Sequence, residues 1–87
     1  MDKIHSILEK REYGQISLHL REIMEAKDIT RNKLAALTGT RFEVIDRFYR
    51  GTVERIDADV LARICFALGC QAGDIVKYEW NDPGTEE

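Results

Sequence analysis

The chain is poor in proline and cysteine, and it lacks a long apolar run. Pro83 is the one proline among 87 residues, so almost no position is barred from a helix. No apolar run approaches the roughly 20 residues that span a bilayer. The N-terminal stretch MDKIHSILEK also lacks the continuous apolar segment of a secretory signal. We therefore expect a cytoplasmic protein with no membrane partner.

Residues that could form a metal or catalytic site are also scarce. Cys65 and Cys70 are too few for a multi-bridge scaffold or a four-thiolate zinc site, so we interpret them as reduced, mostly buried thiols. His5 and His19 lie far apart and near no cysteine. No nucleophile and base, paired carboxylates or phosphate-binding glycine loop can be assembled from the sequence. We expect no cofactor, no small-molecule substrate and no enzymatic activity.

Length and composition favour one soluble folded domain. A chain of 87 residues, with 44% apolar and 33% charged residues, has room for a single core. The net charge of −3 conceals a gradient, because residues 31–63 hold seven basic and five acidic residues whereas residues 64–87 hold one and five. The middle of the chain is thus its only basic part. Charge alone permits a DNA partner without demonstrating one.

Apolar residues recur at spacings of three and four, which predicts a nearly all-helical chain. The predicted helices are an N-terminal one with Ile4, Ile7 and Leu8 on its apolar face, one from about Ser17 to Ala26, one capped by Thr30 and reaching Thr38, one from about Phe42 to Arg50, and one capped by Asp57 and closing at Gly69. Glycines at 39 and 51 are expected to end the two middle helices. Residues 71–74 are predicted to form a turn.

The two middle helices are expected to pack across one another. Only Gly39 and its neighbours separate them, so the second helix must turn sharply across the first. The expected inward side chains are those of Leu34, Ala35 and Leu37 on the first helix and of Ile45 and Phe48 on the second. The outward side of the second helix is then free.

The C-terminal stretch IVKYEW predicts a strand. Val76, Tyr78 and Trp80 alternate with charged residues there, and residues 14–17 are the other plausible strand, so the pair would join the two ends of the chain. Tyr78 and Trp80 could fill a small core or form an interface. We divide the chain into an N-terminal helical extension (1–13), a main domain (14–80) and an acidic flexible tail (81–87).

The middle of the chain resembles the lambda-repressor-like, Cro-type helix-turn-helix proteins, in particular their small single-domain members. The matching residues are Leu34, Ala35, Gly39, Ile45, Phe48 and Gly51, followed by RIDADVLARICFALGCQAGDIVKYE at residues 55–79. The resemblance covers about residues 16–80. It implies an all-α, compact bundle of about five helices containing a helix-turn-helix, with a small two-stranded β pair that could join the N- and C-terminal regions.

The resemblance also implies a sequence-specific transcriptional regulator of double-stranded DNA, most simply a repressor. The helix at about residues 42–50 would enter the major groove. The implied base contacts are Arg41 on a guanine or a phosphate, Phe42 on a thymine methyl, Glu43 on a cytosine amine and Arg47 on a guanine. The residues implied to contact the DNA phosphate backbone are Arg31, Lys33, Arg50 and Arg55.

Several alternatives stay open at this point. Phe42 could turn partly inward, and Arg47 could serve only as an ion partner of Glu43 or Asp46. Thr40 could cap the helix one residue earlier, which leaves the role of Arg41 open. Because one short helix supplies few base contacts, we expect a homodimer that uses the N-terminal helix or the strand ending at Trp80. An antitoxin-like protein-interaction module is the alternative function.

Overall fold

A computed structural model of the chain describes residues 13–81, so the N-terminal helix predicted from Ile4, Ile7 and Leu8 lies outside the described residues. The elements in chain order are β1 (Gln15–Leu18), α1 (Leu20–Lys27), α2 (Arg31–Thr38), α3 (Phe42–Arg50), α4 (Ala58–Leu68), α5 (Ala72–Ile75) and β2 (Val76–Glu79). Five helices and a small two-stranded sheet confirm the expected fold class.

Local side-chain chemistry sets the helix ends. The Thr30 hydroxyl accepts a hydrogen bond of 3.1 Å from a backbone N–H in the first turn of α2. The Asp57 carboxylate accepts two such bonds at the start of α4. Gly39 and Gly51 end α2 and α3 with left-handed φ angles of 65° and 75°, which a side chain would strain. These predicted caps and stops are confirmed.

Every helix contributes at least one side chain to a single core. The buried apolar residues are Leu20, Met24, Leu34, Ile45, Phe48, Ile64, Leu68 and Ile75. Burying each of these side chains contributes about 1.5–3 kcal/mol relative to leaving it in water. The inward positions predicted for Leu34, Ile45 and Phe48 are confirmed. Cys65 and Cys70 are free thiols packed at the edge of this core, and burial raises the pKa of the Cys70 thiol.

The inward position predicted for Leu37 on α2 is wrong. Leu37 is 52% exposed, whereas Thr38 is only 7% exposed. The core meets α2 along Leu34, Ala35 and Thr38, which turns Leu37 toward solvent. The Thr38 hydroxyl donates to the Leu34 carbonyl at 2.8 Å, and this hydrogen bond offsets the cost of burying a polar group.

The sheet joins the two ends of the described chain. Its strands are antiparallel, with Ile16 opposite Tyr78, which confirms the predicted pairing. The helix predicted to begin near Ser17 begins instead at Leu20, because Ser17 pairs with Lys77 in the sheet. The hydrogen bonds of the second strand override the helical spacing of the apolar residues here.

Two expectations for the C-terminal part are also wrong. The turn predicted at residues 71–74 is the start of the short helix α5, in which Gln71 and Asp74 form reciprocal side-chain to backbone hydrogen bonds. Tyr78 is 42% and Trp80 is 70% exposed, so neither fills a core. Their rings meet edge to face with centroids 4.7 Å apart on the surface of the sheet.

We expect Gly14→Ala to weaken the sheet. A Cβ at Gly14 would lie 1.7 Å from the Glu79 carbonyl oxygen, so the backbones must separate. The cost of such overpacking is about 1–3 kcal/mol in the free energy of unfolding, measured by urea titration. Gly73→Ala is the matched control, because a Cβ there meets no atom and alanine favours the helix by roughly 0.5–1 kcal/mol. Equal stability of the two variants would contradict this account of the sheet.

Candidate nucleic-acid interface

The connection between α2 and α3 fixes how α3 is presented. After Gly39, the Thr40 N–H donates to the Ala35 carbonyl at 3.0 Å, so the chain reverses at the end of α2. α3 then packs its Ile45 and Phe48 side chains into the core, where they are 0% and 2% exposed. Because α3 is anchored along this side, its opposite side faces solvent.

The solvent side of α3 carries Glu43, Arg47 and Arg50. We call these three residues the outer face of α3. Their spacing of four and three places them on one side of the helix. The side chains of Glu43 and Arg50 are 66% and 63% exposed, and Arg47 is exposed as well. The outer face therefore projects one acidic and two basic side chains away from the core.

α3 begins at Phe42, with Arg41 in the N-cap position. Arg41 has extended backbone angles and makes no side-chain capping hydrogen bond. The alternative in which Thr40 caps the helix is wrong, because the Thr40 hydroxyl donates back to the Thr38 carbonyl at 3.4 Å. The Arg41 side chain is 84% exposed, and its Nε lies 3.9 Å from Glu43 Oε1, beyond hydrogen-bond distance. Its guanidinium is thus held only loosely.

A carboxylate on α3 joins two of the arginines predicted to contact the DNA phosphate backbone. Asp46 Oδ1 accepts from Arg31 Nη1 at 2.5 Å, and Asp46 Oδ2 accepts from Arg50 Nε at 2.8 Å. We call this arrangement of Arg31, Asp46 and Arg50 the Asp46 bridge. The hydrogen bond from Arg50, followed by that from Arg31, lowers the pKa of Asp46. Asp46 is therefore ionised at neutral pH, and both of its oxygens are occupied.

Two aromatic rings on one side of α3 contact the Arg31 guanidinium. Its central carbon lies 4.6 Å from the centroid of the Tyr49 ring and 5.7 Å from that of the Phe42 ring. Phe42 is 40% exposed, so it is not a core residue. One part of its ring is in contact with Arg31, and the rest remains open to solvent.

Tyr49 also connects α3 to α1. Its hydroxyl donates to Glu25 Oε2 at 3.3 Å, and the same carboxylate oxygen accepts from Arg21 Nε at 3.0 Å. The Arg21 guanidinium lies 5.5 Å from the centroid of the Tyr49 ring. These contacts, together with the Asp46 bridge, link α1, α2 and α3 at the surface beside the core.

The remaining predicted contacts lie apart from this cluster. Within residues 13–81, the side chains of Lys33, Arg47 and Arg55 make no ion pair. The interpretation of Arg47 as an ion partner of Glu43 or Asp46 is wrong, because the ion pairs of these two carboxylates within residues 13–81 are with Arg31, Arg41 and Arg50. Lys33 lies two residues after Arg31 and hence on another side of α2. Arg55 lies in the loop between α3 and α4.

Sequence reasoning missed the structural part played by Asp46 and Tyr49. The spacing of four between Asp46 and Arg50 is a detectable signal for an ion pair within α3. Arg31 is 15 residues from Asp46, and no local spacing reveals that pairing. Tyr49 follows Phe42 by seven residues, which places both rings on one side of α3.

One serine and one histidine do come together, contrary to the expectation from sequence. Ser17 Oγ lies 2.8 Å from His19 Nε2, since the strand places them close to the start of α1. The Ser17 hydroxyl donates to Glu79 Oε2 at 2.9 Å, and the tautomer of His19 sets which group donates in its contact with Ser17. Within residues 13–81, no group of three or more side chains could hold a metal ion.

Comparison with known proteins assigns this arrangement to a family. The chain belongs to the Cro/C1-type HTH DNA-binding domains, whose family model matches residues 19–81. A search of curated proteins finds no match. None of the helices in the described part of the chain is long and apolar enough to cross a membrane. Family membership supports a DNA-binding regulator.

Proposed function

We propose that the chain is a sequence-specific transcriptional regulator that reads the DNA major groove with α3 and acts as a cytoplasmic repressor without enzymatic activity. The single observation that carries this proposal is the outer face of α3, exposed on a helix whose opposite side is buried. In helix-turn-helix proteins the second helix lies in the major groove with its first residues nearest the bases. A bound regulator then represses by covering promoter DNA.

The base contacts in this proposal come from the start and the outer face of α3. Arg47 can donate two N–H groups to O6 and N7 of a guanine, and Glu43 can accept from the exocyclic amine of cytosine. Arg41 is free to reach a guanine or a phosphate, since no strong ion pair holds it. The solvent-exposed part of the Phe42 ring can contact a thymine methyl while the rest of the ring stays against Arg31.

The phosphate contacts surround α3. Arg31 begins α2, Arg50 ends α3, Lys33 lies on the first turn of α2 and Arg55 follows in the next loop. Phosphate contacts fix the position of a protein on DNA without specifying sequence. Glu43 and Asp46 oppose phosphates, so we expect weak binding to random DNA and a shallow dependence on salt.

Selection of bound duplexes from a random pool tests the proposed contacts. Wild-type protein should enrich one symmetric site, and Arg47→Ala should lose preference at one base of each half-site, by about 1–3 kcal/mol. Lys33→Ala is the matched comparison, because losing a phosphate contact should weaken all duplexes alike and lower the salt slope by about one. The proposal is wrong if no duplex is enriched, or if Arg47→Ala enriches the same site with the same base preferences.

We also propose a homodimer. Complexes with specific sites are typically about 4–10 kcal/mol more stable than complexes with random DNA, and two or three base contacts of about 1–3 kcal/mol each supply roughly 2–9 kcal/mol, which does not reach the upper end of that range. Two copies double the contacts and place two half-sites about one helical turn apart. Exposed apolar side chains in the sheet and next to its strands support this part of the surface as the contact; they are Tyr13, Ile16, Tyr78 and Trp80.

Ile16→Lys should therefore give a monomer. Ile16 is 56% exposed, so the charge should not disturb the core but should prevent apolar contact between two sheets. Sedimentation equilibrium of the full chain without DNA measures the change. Phe66→Lys is the matched control, since Phe66 is 91% exposed on α4, outside the sheet. A wild-type monomer at high concentration would overturn the homodimer, and a monomer from Phe66→Lys alone would place the contact on α4.

The exposed Phe66 favours a second candidate function, in which the domain binds another protein. Phe66, Leu37 and Ala62 line a shallow groove between α2 and α4, on side chains that the proposed DNA contacts do not use. An antitoxin-like module would use such a surface to hold its partner. Co-purification of a stoichiometric protein, lost in Phe66→Lys, would favour this function over DNA binding alone.

A further inference from the structure

The Asp46 bridge places one carboxylate between two arginines that the proposed function assigns to phosphates. Arg31 comes from the start of α2, and Arg50 comes from the end of α3. The Asp46 side chain is 21% exposed, less than the 35% of Arg31 and the 63% of Arg50. The carboxylate is therefore the least exposed of the three groups.

We propose that Asp46 is a positioning residue that raises the preference for a specific site over random DNA by holding Arg31 and Arg50 in one fixed arrangement. This inference rests on the proposed DNA-binding function. Asp46 itself does not contact DNA. It acts by setting where two phosphates must lie for both arginines to bind them.

The geometry leaves each arginine able to bind a phosphate. A guanidinium has five N–H donors, and the bridge uses one from Arg31 and one from Arg50. The contacts with Tyr49 and Phe42 further restrict Arg31, so its unused donors keep a constant direction. A group that is oriented before binding loses less conformational entropy when it binds.

The same carboxylate competes with phosphates that are badly placed. A duplex on which α3 is seated in the groove can present phosphates to both arginines without breaking the bridge. A loosely placed duplex must draw an arginine away from Asp46 and leave a carboxylate facing the phosphates. Specificity that arises by penalising the wrong partner is a general device of selective interfaces. The bridge therefore lowers affinity for random DNA more than affinity for the specific site.

Asp46→Asn tests this proposal in the full-length chain. The probes are the duplex selected with wild-type protein and a shuffled duplex of the same length, each titrated over a range of salt concentrations. The variant should bind the shuffled duplex more tightly, with a salt slope steeper by about one to two because one or two arginines become free for phosphates. The ratio of specific to shuffled affinity should fall about tenfold, comparable to the loss of one base contact.

Asp59→Asn is the matched control. It makes the same change of charge and breaks an Asp–Arg pair of the same spacing, the 2.9 Å contact with Arg63 on α4. The affinity ratio of this variant should stay at the wild-type value. Asp46→Glu keeps the carboxylate and should recover most of the ratio, which a loss of stability alone would not do.

Arg31→Lys is a second test of the positioning role of Asp46, for use if Asp46→Asn folds poorly. Lysine keeps the charge but loses the planar fork that Asp46 and the two rings orient, so the ratio should fall as it does in Asp46→Asn. The inference is overturned if Asp46→Asn or a folded Arg31→Lys retains the wild-type ratio. Failure of wild-type protein to enrich any duplex would instead overturn the DNA-binding function itself.

Discussion

The burial of Ile45 and Phe48 fixes the rotation of α3 about its own axis, and the proposed interface depends on that rotation. Both side chains are almost completely buried in a core to which all five helices contribute. Since helix positions three and four apart share a side, anchoring these residues inward turns Glu43 and Arg47 outward. The chain belongs to the Cro/C1-type HTH DNA-binding domains, so this outward side of α3 is the candidate DNA-binding surface.

The distribution of charge around α3 explains how an acidic chain could serve as a selective DNA-binding protein. The net charge of −3 provides little general attraction for phosphates. Some of the basic side chains near α3 have a carboxylate beside them, Glu43 beside Arg41 and Asp46 beside Arg31. We therefore expect DNA binding to depend on geometric fit between α3 and the groove more than on long-range attraction.

The sequence predicts those features that depend on neighbouring residues. The cap at Thr30 and the stop at Gly39 follow from local hydrogen bonding and backbone freedom, and both are confirmed. The exposure of Leu37 was not predictable in the same way, because either Leu37 or Thr38 could point inward and only the packing of α2 against the other helices decides between them. The contact between Arg31 and Asp46 joins residues 15 positions apart, so it depends on the crossing of two helices. The site residues themselves remain predictions.

The most direct test of the account is methylation interference on the selected duplex. One alkylating reagent modifies guanine N7 in the major groove and adenine N3 in the minor groove, so a single experiment compares both grooves. If Arg47 contacts guanine in the major groove, methylation of guanine N7 within each half-site should prevent binding. Binding that tolerates every N7 methyl group but is blocked by methyl groups on adenine N3 would contradict it.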